Sequence, residues 1–318
     1  MTEVNTVLLK LLNINKLMKY RSSWDNFYVP FSYLEKVKRI KENYTLKVIL
    51  WDDVPILLFA FTWHLNFSWL MILSILCLLV SFWCMYETGY YENDAIAEKY
   101  EERPKLAATY YTHREMMTSG SPWLWSLGFG LIGVVLLEKV QGVRYLFTAT
   151  PLELKLVSLH PVLLMMCYWT ALLLSTRACF WVFNNFNKHT RTWLYIFLQS
   201  FRYFGFAAVT YINPIGTSLL SSNILARSIL YVVYRYSGGE SKHWPDRVPE
   251  KVLRCIIFVF LLGAVSFGTQ SLAFWQSWQT WIIIFWCIVQ GKGQFMRILS
   301  QVKPVFKDGS NCVGTTLS

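Results

Sequence analysis

The chain has 318 residues; 54% are hydrophobic and 17% aromatic, while only 15% are charged. Soluble domains average about 25% charged residues, and the mean hydropathy here is +0.34, so a water-soluble globular enzyme and a disordered chain are excluded and a multi-span membrane protein remains. The net charge of +11 then marks one face of a membrane protein, and nucleic acid is not an expected partner.

In chain order, residues 1–48 form a basic arm. Leu8, Leu9, Leu11, Leu12, Ile14 and Leu17 within it predict a short amphipathic helix, lying on the membrane or packed on neighbouring loops. No apolar core followed by small residues opens the chain, so no signal peptide is expected. Apolar stretches near 20 residues then predict eight transmembrane helices, at 50–65, 67–87, 123–140, 156–176, 192–211, 214–234, 252–271 and 274–291. The fold class is therefore all-α, a polytopic transmembrane bundle over 49–300 with a tail at 301–318. Gly128, Gly130 and Gly133 permit close helix packing within it.

The basic residues orient the bundle. The N-terminal 50 residues, the connections 88–122, 177–191 and 235–254, and the tail from 291 hold 25 of the 30 Lys and Arg. The turns near 66, 213 and 273 hold none. The positive-inside rule puts both termini and the three long connections in the cytoplasm, in an integral multi-pass protein of a membrane that the sequence does not name. The seven cysteines lie mostly in apolar runs and read as small buried hydrophobes, with no metal-binding spacing among them.

The segment from Tyr86 to Pro104 carries the chemistry. At about 100° per residue, Glu87, Asp94, Glu98 and Glu101 fall within about 60° of one another on a helix. Carboxylates crowded on one face repel, and a hard cation such as Mg²⁺ would relieve them. A solvated acidic helix, offset by Lys99 and Arg103, is the plainer alternative. Asn93-Asp94, followed by Glu98, Glu101 and then Arg103-Pro104 after the second span, resembles the first Asp-rich motif of the UbiA superfamily of intramembrane prenyltransferases. That motif is Asn-Asp-x-x-Asp-x-x-x-Asp with a following Arg-Pro. Ala97 stands at the middle acid's place and Glu98 one position on. The resemblance implies that Asp94, Glu98 and Glu101 bind Mg²⁺ and, with Asn93, a prenyl diphosphate, with Asp94 and Glu98 catalytic.

The family's second acidic motif falls between spans six and seven, where Asp246 and Glu250 are candidate metal ligands. Pro245 and Pro249 flank Asp246, so a structured loop is the alternative, with Pro249 opening the seventh span. A diphosphate needs cations, and Arg103, Lys105, Lys188 and Arg191 are candidates at the same face. Arg202 and Arg227 lie inside apolar stretches, where a charge is paired or faces a cavity. Arg202 is placed to reach a phosphate or to pair with Glu87, Asp52 or Asp53. The expected function is Mg²⁺-dependent prenyl transfer from a prenyl diphosphate to an acceptor within the bilayer. The alternative is a non-catalytic, lipid-binding subunit with a membrane-protein partner.

Overall fold

The computed structural model describes residues 27–40, 42–63, 67–102, 104, 106–117, 120–141, 161–187, 191–236 and 249–301. Arg103, Lys105, Lys188, Asp246, the Leu8–Leu17 stretch and the tail beyond 301 lie outside them. Among the described residues there are only helices and connections, with no strand.

A nine-residue π-helical segment, Thr45–Asp53, leads without a break into α1, Val54–Phe61. Pro55 sits in the first turn of α1, at the junction where the π-helical segment gives way to the α-helix. Then follow α2 (Trp69–Tyr100), α3 (Ser121–Gln141), α4 (Pro161–Asn185), α5 (Arg191–Phe204), α6 (Pro214–Tyr236), α7 (Glu250–Gly268) and α8 (Trp278–Gln301). Consecutive helices from α2 to α8 pack side by side, α2 also meets α4, and α1 packs against α2 and α6.

Five of these helices, α2, α3, α4, α7 and α8, are long and apolar enough to cross a membrane. The three other expected spans depart from that pattern for visible reasons. The first begins in Asp52 and Asp53, both buried. The fifth, α5, has only 14 residues, short of the ~20 that a bilayer needs, and continues as a 3₁₀ turn at Gly205–Ala208. The sixth, α6, is long enough at 23 residues but carries Arg227, Arg235 and several serines. In the second, the acidic segment is no separate connection. The helix runs on through it for 32 residues in all, ~48 Å at about 1.5 Å per residue, and so outreaches a ~30 Å hydrocarbon layer. It stops where Glu101 turns extended, three residues before Pro104.

The arm from residue 28 onward belongs to the bundle, because Tyr28, Tyr33, Leu34 and Val37 are buried in the common core. Several polar side chains within the bundle are paired across helices, as an apolar surrounding favours. Ser81 Oγ donates to the Ser126 carbonyl at 2.6 Å and accepts from Trp169 Nε1 at 2.9 Å. Gly133 lets α3 approach α2, since a Cβ there would meet Leu78 Cγ at 2.7 Å and the Ser74 carbonyl at 3.1 Å. Gly130 faces Trp169 in the same way, whereas Gly128 faces open space. Gly133→Ala should therefore cost about 1–3 kcal/mol by overpacking and Gly128→Ala almost nothing. Thermal unfolding of the two variants in detergent checks this, and equal melting temperatures would contradict it.

Candidate functional site

Two kinds of polar clustering occupy one end of the bundle. The first is a buried ion network around the adjacent acids Asp52 and Asp53, which are 2% and 0% exposed. Asp52 accepts from Arg227 at 2.6 Å, from Arg254 at 2.7 Å and from Lys251. Asp53 accepts from Arg202 at 2.5 Å and from the Tyr203 hydroxyl at 2.7 Å. Arg227 also holds Glu250 at 3.0 Å. Arg202 thus takes the ion-pair option, and Glu250 is neutralised by an arginine. The guanidinium of Arg202 lies 4.7 Å from the centroid of Trp83, and that of Arg254 4.4 Å from Trp286, so ring faces share these charges.

The second cluster ties the acids of α2 to the arm. Glu87 accepts from the Tyr28 hydroxyl at 2.6 Å and from the backbone N–H groups of Phe31 and Leu34, both at 2.8 Å. Asp94, 6% exposed, accepts from Lys38 at 2.5 Å and from the Tyr33 hydroxyl at 2.8 Å. Glu98 accepts from Tyr110 at 2.9 Å and from Arg114 at 3.1 Å. Glu92 pairs with Arg177. Burial, and then the Asp94 carboxylate, push the Tyr33 hydroxyl far above the usual phenol range. Burial and the hydrogen bond to Glu98 do the same for Tyr110. Both hydroxyls therefore remain donors at any physiological pH.

These pairings bear on the Mg²⁺ that the resemblance implies. Magnesium takes one or two carboxylates plus substrate phosphates. Asp94 and Glu98 already serve cations of this chain, and a metal ion would have to displace Lys38 or Arg114. Among the described residues, no group of three or more His, Cys, Asp or Glu gathers as a ligand set. As folded, Asp94 and Glu98 therefore offer a resident Mg²⁺ no free carboxylate, while Asp246 lies outside the described residues.

Between the clusters opens a cavity of about 690 Å³. Eight Lys and Arg side chains line it against two carboxylates, Asp52 and Glu250. Lys38, Arg202, Arg227 and Lys251 are bound in the ion pairs above, and Arg39 makes an exposed pair with Glu42 at 3.4 Å. Lys47, Arg191 and Arg235 have no carboxylate within ion-pair distance among the described residues. Arg191 only approaches Asn93 Oδ1, at 3.5 Å, and Arg235 meets the Tyr231 hydroxyl at 3.0 Å. Eight rings share the lining. Tyr195 stacks on Tyr231 at 4.1 Å between centroids, and Tyr86 meets Phe180 edge-on at 4.7 Å.

A search of protein-family models, curated proteins and solved structures finds no match to this chain. The site is therefore read from its own chemistry. Of the sequence candidates, the structure brings Asn93, Arg191, Arg202 and Glu250 to the cavity lining. Asp94 and Glu98 are not among its lining residues. Glu101 lines a smaller neighbouring space. The sequence reading missed Lys38, Lys47, Arg235 and Lys251, which it counted only as face-marking charge. The available signal was Lys251 and Arg254, an i,i+3 basic pair heading an apolar helix.

Breaking the network should destabilise the fold strongly. Asp52→Ala leaves Arg254, 0% exposed, as a buried unpaired charge, an expected loss of about 3–5 kcal/mol. Glu42→Ala, which breaks an exposed pair, should change stability by less than about 1 kcal/mol. Thermal unfolding of the purified variants measures the contrast.

Proposed function

We propose that the bundle binds an amphiphile with a polyanionic headgroup, a prenyl diphosphate, and transfers its prenyl group. The observation that carries this reading is the convergence of Lys47, Arg191 and Arg235, none in ion-pair contact with a carboxylate among the described residues, on a cavity also walled by aromatic rings. Cations facing one space repel each other, and a diphosphate relieves that repulsion through charge-assisted hydrogen bonds. The headgroup would enter from the basic face, which the positive-inside rule would put on the cytoplasmic side.

The chemistry follows from the lining. The bond between the allylic C1 and the diphosphate oxygen breaks with its electron pair on the diphosphate. Arg191, Arg235 and Lys47 stabilise the charge that develops there. The π-faces of Tyr86, Tyr90, Phe180 and Tyr195 flank the allylic cation and shield it from water. Leaving-group stabilisation falls to these cations, with no step through a metal ion.

One observation favours a second reading, a non-catalytic lipid-binding subunit of a membrane complex. Glu87 and Asp94 of α2 hold the arm, and Glu92 and Glu98 pair with Arg177 and Arg114, which suits a scaffold. Diphosphate release from prenyl diphosphates of graded length, by the full chain in nanodiscs with Mg²⁺ and with a chelator, separates the two. Prenyl transfer predicts release that falls roughly tenfold or more in Arg191→Ala/Arg235→Ala, since each charge-assisted contact is worth about 1.5–3 kcal/mol. Saturable binding without release would favour the subunit, and neither binding nor release would overturn both.

A further inference from the structure

Beside the cationic cavity lies a smaller one of about 400 Å³. The two share three side chains, Asn93, Asn184 and Arg191. The chemistry changes across that border. Among the described residues, the smaller lobe has one arginine and one carboxylate, Arg191 and Glu101, and its other polar lining is amide. Its formal charge is balanced, so it suits a neutral ligand, unlike the cavity next door.

The border itself holds unmet hydrogen-bonding groups. Asn184, in the last turn of α4, is 4% exposed. Its Nδ2 donates to the Gly89 carbonyl at 3.1 Å, which fixes the amide so that Oδ1 is an acceptor. That Oδ1 is buried and has no partner among the described residues. The Nε of Arg191 is likewise a buried donor with no partner among the described residues, while the guanidinium lies 5.4 Å from the Phe183 centroid. Folded chains rarely leave such groups unmet unless a ligand or water fills the place. A hydroxyl satisfies both at once, donating to Asn184 Oδ1 and accepting from Arg191 Nε.

We propose that this lobe is the co-substrate site, taking a neutral molecule that presents a hydroxyl group to Asn184 and Arg191. The inference rests on reading the larger cavity as the prenyl diphosphate site. Because both residues line both spaces, the bound oxygen lies where the two cavities meet, facing C1 of the prenyl group. As C1–O of the diphosphate breaks, the hydroxyl oxygen bonds to C1. Its proton passes to the released diphosphate, giving a prenyl ether and hydrogen diphosphate.

Equilibrium binding to the full chain in nanodiscs tests this with benzyl alcohol, toluene and benzoate as lobe probes and inorganic diphosphate as the cavity probe. Benzyl alcohol should bind saturably, at least roughly tenfold tighter than toluene, and tighter than benzoate. Asn184→Leu should erase the preference over toluene. Ala97→Leu, which fills the lobe from a residue that does not line the larger cavity, should erase benzyl alcohol binding. Ala97→Leu should keep inorganic diphosphate binding within about twofold of wild type, which also shows it folded. Equal binding of benzyl alcohol and toluene, tighter binding of benzoate, or benzyl alcohol binding untouched by Ala97→Leu would overturn the lobe assignment alone. Failure of wild type to bind inorganic diphosphate would instead overturn the reading of the larger cavity.

Discussion

The buried doublet Asp52-Asp53 is the interaction on which the rest depends. Two adjacent carboxylates out of reach of water are tolerable only if each meets a cation. The cations come from three other helices: Arg202 on α5, Arg227 on α6, and Lys251 and Arg254 on α7. A single stretch of backbone at the head of α1 therefore fixes the spacing of α5, α6 and α7 at one end of the bundle. The opposite end is joined by neutral groups, Gln141 to Thr210 at 2.6 Å and Asn213 to Gln279 at 2.7 Å. Charge is thus concentrated at one end by construction. Within the network, four cations meet three carboxylates, Asp52, Asp53 and Glu250, and the excess is positive on the side that faces the cavity.

Acids and bases divide the work. On α2, Glu87, Asp94 and Glu98 hold the arm down, through Tyr28, Tyr33, Lys38 and the Tyr110–Arg114 turn. This fixes Lys38, Tyr44 and Lys47 over the bundle end. The ligand-facing charge is left to the bases. An acidic helical face that invites a metal cation on paper instead clamps the basic arm to the bundle.

Much of the architecture was legible from hydropathy and charge, because burial in an apolar layer acts on whole segments. The five long apolar helices fall where their runs of Leu, Ile, Val and Phe put them, and Pro104 marks the end of α2. The site was less legible because its contacts are distant in sequence. Asp94 and Lys38 are 56 positions apart, and Asp52 and Arg254 are 202 apart. No periodicity encodes such pairs. Arg202 and Arg227 were visible as anomalies within apolar runs, and buried pairing is the outcome that their cost required. Lys47 and Arg235 carried no such mark, since a basic residue at a span end has the same appearance whether it faces solvent, lipid headgroups or a cavity. Asn184 was visible only as one polar group among several, and its free Oδ1 is a property of the packed helix pair α2–α4 rather than of its neighbours in the chain.

The central claim is that the cationic cavity, and not the acidic face of α2, receives the anion. An experimental structure of the full chain with a non-hydrolysable prenyl thiolodiphosphate and Mg²⁺ tests it most directly. The account predicts phosphate oxygens within about 3 Å of the guanidinium groups of Arg191 and Arg235, with Lys38 still on Asp94. A diphosphate bound through metal ions on Asp94 and Glu98, with Lys38 displaced, would contradict it.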